Sequence, residues 1–130
     1  MLRMKDIIDE KDKRLRVVSK EVEFPLSDVD KQAIKDMITY LEMSQIEETQ
    51  QFYDLRAGMG LAYIQIGVPK RIFVVVDEID EGKFEHHVVI NPKIKSTSEE
   101  LIYVDLGEGC LSINRDVEGI VPRYARVTLE

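Results

Sequence analysis

A change of hydrophobic period midway along the chain constrains its fold more than any other feature. From Asp28 to Ser44 the residues Val29, Ala33, Ile34, Met37, Ile38 and Leu41 recur three and four positions apart, one apolar stripe on a helix of about 28–44. Ser27 stands before it as N-cap, and the acid three residues on is Asp30, where a capping box prefers Glu or Gln. Beyond Gly60 the helical period is lost. Arg71–Asp77 is a short β-branched run with the look of a buried strand. Glu81-Gly82-Lys83 makes a turn, and His86–Ile90 makes a second strand that ends at Asn91-Pro92. Further strands are expected over Glu100–Val104, Val117–Val121 and Ala125–Leu129. One helix and several strands joined by short turns, with no strand–helix alternation, predict an α+β fold with a mainly antiparallel sheet. Residues 1–25 read as an arm with one helical turn, and the polar stretch 45–56 has no clear period. Without repeat, low-complexity tract or linker, 1–130 reads as a single domain.

Composition narrows the function. Hydrophobic residues make up 44% of the chain, enough for a core, and the lack of Trp with only four Phe makes that core aliphatic. A net charge of -7 argues against direct nucleic-acid binding through phosphates. No apolar run is long enough to span a bilayer, and Met1–Ile8 has none of the marks of a signal peptide, so no membrane association is expected. The single cysteine excludes an intrachain disulfide and suits a reducing, cytoplasmic location.

Two compact segments carry chemistry. In Gly58-Met59-Gly60-Leu61-Ala62-Tyr63-Ile64-Gln65, the glycines permit positive φ or close backbone approach, and Gln65 offers an amide donor suited to a developing oxyanion. The plainer reading is a glycine-rich bend whose Gln caps a strand end. In Glu108-Gly109-Cys110-Leu111-Ser112, Cys110 is a small hydrophobe, a metal ligand or a nucleophile. His86 and His87 are adjacent in a strand and point to opposite faces, so at most one can face Cys110. Their plainer role is solvation or pairing with a neighbouring acid.

These two segments, with Val121-Pro122-Arg123, resemble the first two signature motifs of peptide deformylase and the sequence that follows them. That metallohydrolase removes the formyl group from the N-terminal formyl-methionine of new bacterial proteins. The resemblance covers essentially the whole chain, and the motif spacing and the helix before the first motif are most like the type found in Gram-positive bacteria. It implies Cys110 as thiolate ligand to a divalent metal, iron, or zinc or nickel in its place. Gln65 and the Leu111 backbone N–H would be the oxyanion donors that hold the formyl oxygen. Gly60, Leu61 and Glu108 would be substrate-side positions, with Glu108 paired to Arg123 behind the cysteine. The implied partner is a formyl-methionyl peptide.

The chain departs from the family pattern in two places. Tyr63 stands where a small alanine is usual and is expected to crowd the neighbouring groove. The third motif, H-E-x-x-H, supplies the family's two histidine ligands and general base, and it does not occur in these 130 residues. A catalytic metal needs about three protein ligands and an open position. The expectation is therefore a C-terminally truncated deformylase-like domain, inactive and with its metal absent or incompletely ligated. The alternative is a catalytically dead module that binds a peptide or partner by β-augmentation. Either way, a second copy is expected to cover the face left open, giving a homo-oligomer.

Overall fold

Ile72, Val74 and Val76 alternate along one strand and turn their side chains to the same side, which makes them the floor of the core. The computed structural model describes residues Met1–Glu130. In it this strand is β2 (Ile72–Asp80), the centre of an antiparallel sheet with β1 (Gly60–Ala62) and β3 (Lys83–Ile90) at its edges. Val74 pairs with Leu61 on one side and with Val88 on the other.

Helix α1 (Asp28–Gln45) packs across β2. Ser27 Oγ accepts from the Asp30 N–H at 3.1 Å, so the cap forms as the sequence predicts. The buried side of the helix is Asp30, Ile34, Met37, Tyr40, Leu41 and Ser44. That face is rotated from the expected stripe: Val29 is 74% exposed, and the fully buried Tyr40 and Ser44 complete the contact. A tyrosine and a serine are inside because their hydroxyls are bonded, Tyr40 to the Arg56 carbonyl at 2.9 Å and Ser44 to the Leu41 carbonyl at 2.8 Å. The polar stretch after α1 contains a second helix, α2 (Glu47–Tyr53), closed by Asp54 in the left-handed region at φ 52°.

The second half of the chain forms two short antiparallel ribbons. One joins β4 (Ile94–Thr97) to β7 (Val127–Leu129), the other β5 (Leu101–Ile102) to β6 (Arg123–Tyr124). The strands expected over 100–104 and 125–129 are thus present in shortened form. The one expected over Val117–Val121 is not formed: those residues are irregular and exposed, and Gly119 at φ 133° breaks any extended run. The N-terminal arm holds two 3₁₀ turns, Met4–Asp6 and Lys13–Arg16, rather than one. The architecture is α+β with antiparallel sheets, and no helix is long and apolar enough to cross a membrane. After Ile90 only Leu111 and Ser112 are buried, so the core lies almost wholly in the first 90 residues.

Candidate functional site

The turn after β1 is a 3₁₀ helix, Tyr63–Ile66, and it carries Gln65. The Ala62 N–H donates to Gln65 Oε1 at 2.9 Å, which fixes the rotation of the side-chain amide. Its Nε2 then donates to Ser112 Oγ at 3.1 Å and lies 3.9 Å from Cys110 Sγ. Forty-five positions apart in sequence, Gln65 and Cys110 thus share one site.

The cysteine loop is held by its neighbours. Leu111 puts its side chain into the core, where it packs on Gly58, and Ser112 is buried beside it. Cys110 itself is exposed. The Cys110 carbonyl accepts from the Ile113 N–H at 3.1 Å, while the Leu111 N–H makes no hydrogen bond within the chain. Beside Cys110 opens a cleft of about 730 Å³ lined by Arg56, Glu108, Ile113, Arg115, Val121 and Arg123, among others.

Neither Gly58 nor Gly60 has positive φ, and only Gly58 is required by close approach. A Cβ on Gly58 would meet Leu111 Cδ1 at 2.9 Å; one on Gly60 would lie 3.7 Å from the Val74 carbonyl, an ordinary contact. Leu61 is 2% exposed, its side chain in the core, which leaves its backbone as the part available to a ligand. Glu108 accepts from Arg123 Nη2 at 2.5 Å and from Nε at 3.1 and 3.2 Å. These donors hold the Glu108 carboxyl below the ordinary range.

Tyr63 does not crowd the groove. It is 2% exposed, turned into the core, and its hydroxyl donates to Asp30 Oδ1 at 2.7 Å. Lys70 Nζ donates to the other oxygen at 2.8 Å. The Lys70 hydrogen bond, and after it that of Tyr63, keeps the Asp30 carboxyl below its usual range, while burial pushes the Tyr63 phenol up. The histidines are engaged elsewhere: His86 pairs with Glu42 of α1, and His87 lies 3.8 Å from Glu85. Sequence reasoning passed over Ser112, although it lies inside the cysteine motif. It also missed Asp30 and Lys70 as partners of Tyr63, for which no local signal exists.

Comparison with known proteins places the chain in a family. The family model for polypeptide deformylase matches residues 4–130. A peptide deformylase of Halalkalibacterium halodurans is 49% identical, over 100% of this chain and 71% of that protein. Peptide deformylase 2 of Bacillus anthracis is 45% identical with the same coverage. Among solved structures, a probable peptide deformylase from Synechococcus phage S-SSM7 superposes with a TM-score of 0.68 at 33% identity, over 95% of this chain and 72% of that one. The chain belongs to the peptide deformylase family.

The family implies a divalent metal. Nowhere do three His, Cys, Asp or Glu side chains come together as a metal-holding group. Cys110 alone supplies one soft donor, so the donors of these residues do not by themselves fit a catalytic metal site.

Proposed function

We propose that these 130 residues form the substrate-holding part of a deformylase site and bind the formyl-methionyl end of a nascent peptide. The observation that carries this reading is the convergence of Gln65 Nε2 with the Cys110–Leu111 loop, whose Leu111 N–H has no partner in the chain. In this reading both donors hold the formyl oxygen. Their value rises as negative charge develops there, and such a donor lowers a hydrolase barrier by roughly 2.7–4 kcal/mol. Gly60 and the Leu61 backbone line the approach to that oxygen, and Glu108, fixed by Arg123, braces the loop from behind. Cys110 is the thiolate offered to the divalent metal, iron or a substitute such as zinc or nickel.

With one such donor, the chain as one domain binds formylated peptide without hydrolysing it. This is where the reading of a binding module meets that of the enzyme, and the incomplete donor set around Cys110 supports it. The work belongs to the bacterial cytoplasm, where formylated chains are made, and a single exposed thiol suits that compartment. A second copy of the chain covers the apolar face of the ribbons.

The test is an NMR titration with a formyl-methionyl tripeptide and its unformylated counterpart, alongside a formate-release assay with Fe(II), Ni(II) or Zn(II) added. The formylated peptide is expected to shift the Gln65 side-chain amide and the Leu111 N–H, the other peptide to leave both in place, and formate to stay at background. Equal shifts from both peptides would sink the binding claim. Formate release with any of the metals would sink the claim of inactivity.

A further inference from the structure

The two halves of the site are stitched together from behind by the N-terminal arm. The Ile8 N–H donates to the Gln65 carbonyl at 2.8 Å, and two residues later the Glu10 N–H donates to the Ser112 carbonyl, also at 2.8 Å. Ile7 and Ile8 anchor this stretch, since both side chains are buried. The Glu10 side chain then reaches Arg115, whose Nε donates to Glu10 Oε1 at 2.8 Å. Arg115 lies three residues past Ser112 and lines the cleft beside Cys110. A closed ring results: arm to Gln65, Gln65 Nε2 to Ser112 Oγ, Ser112 carbonyl to Glu10, and Glu10 to Arg115 at the far end of the loop.

One member of the ring bonds through only one of its two carboxylate oxygens. Glu10 Oε2 is buried with no hydrogen-bond partner. The Glu10 side chain is 23% exposed and its other oxygen pairs with Arg115, so its contact is directed at the loop rather than into the core.

We propose that Glu10 is a positioning residue that acts through Ser112 and Arg115 to hold the Cys110–Leu111 loop against Gln65. The claim rests on the reading of Gln65 and Leu111 as the two donors to one formyl oxygen, and it adds the group that sets their separation. The arm lies nearly a hundred positions from the cysteine loop, so the chain closes the site with its first and last thirds together.

Three variants and one double variant test this in the full chain. Glu10→Gln keeps an acceptor for Arg115, whereas Glu10→Ala removes it. Arg115→Ala, at a largely exposed side chain, breaks the same contact from the other end with little risk to folding. The readouts are the Gln65 side-chain amide and Leu111 N–H resonances of the ligand-free protein, and affinity for the formyl-methionyl tripeptide. Glu10→Ala and Arg115→Ala are each expected to move both resonances and weaken binding about two- to fivefold, the scale of one lost exposed ion pair. The double variant should lose no more than either single one, because both break one contact. Glu10→Gln should bind like the parent chain and melt no lower. A folded Arg115→Ala or Glu10→Ala chain with both resonances unmoved would overturn the proposal. If the parent chain binds no formyl peptide, the reading of the site fails, and the ligand-free resonances still decide whether Glu10 sets the geometry.

Discussion

Gly58 and Gly60 look equivalent in the sequence, and the structure separates them. A methyl group on Gly58 runs into the Leu111 side chain, the anchor of the cysteine loop, while one on Gly60 meets only ordinary contact distance at the Val74 carbonyl. Gly58→Ala is therefore expected to cost about 1–2 kcal/mol as overpacking and to displace Leu111. Gly60→Ala should stay within about 0.5 kcal/mol of the parent. Urea midpoints of the two variants check this, and a larger loss for Gly60→Ala would contradict it. The sequence made both glycines legible as special and offered two reasons, positive φ or close approach; the structure selects close approach, and only at Gly58. The contact partner lies some fifty positions downstream, beyond any local pattern. Tyr63 is a similar case: read in line it is a bulky intruder, but folded it is a core residue whose hydroxyl finds Asp30.

That Tyr63–Asp30–Lys70 group joins two elements, the first turn of α1 and the segment that carries Gln65 and leads into β2. Asp30 is buried and its carboxyl is held below the usual range, so the sign of its pH effect follows. The stabilisation is full above the unfolded carboxylate value of about 3.9 and is lost as pH falls below it toward the lower folded value. The parent chain should lose stability steeply as it is acidified through this window. Asp30→Asn should be less stable at neutral pH, and its deficit should shrink below about pH 4 as the parent loses its advantage. Thermal melts at a series of pH values test this, and a deficit independent of pH would refute the ionic role of Asp30. At this scale the sequence was most legible where the period was strong. Helix α1 and strand β2 lie where their patterns predicted, because each buries a regular apolar set on the same core, while β3 lies where predicted as a mostly exposed edge strand held by its ladder to β2. Helix α2 and strand β6 were not legible, and β5 was expected longer than it forms. A polar seven-residue helix has no apolar stripe to read, and β5 and β6 exist only through each other. Val117–Val121 had strand-like composition but no partner strand, and propensity without a partner does not make a ladder.

At the scale of the molecule, surface is the quantity out of balance. The chain exposes 9497 Å². A folded monomer of 15.0 kDa is expected to expose about 7,000 Å², which leaves an excess of roughly 2,500 Å². Much of the apolar surface lies in the second half of the chain: Ile94, Leu101, Ile102, Val127 and Leu129 of the ribbons are exposed, and so are Leu106, at 99%, and Ile120 beside the cleft. Contiguous apolar patches beyond a few hundred Å² are rare on soluble monomers, and a stable interface needs only about 800 Å² from each partner. The short ribbons add unpaired strand edges to the same region. A second copy supplies both an apolar face and edges of matching kind, so the chain is expected to self-associate through the ribbons. Sedimentation velocity over about a hundredfold range of concentration should show a dimer or larger species that dissociates on dilution. Ile94→Asp and Leu101→Asp, one on each ribbon and away from the core of the first 90 residues, should shift the chain toward monomer without changing its helix content. A parent chain that sediments as a stable monomer throughout would mean that the ribbons fold back on themselves in solution, and that association plays no part in covering them.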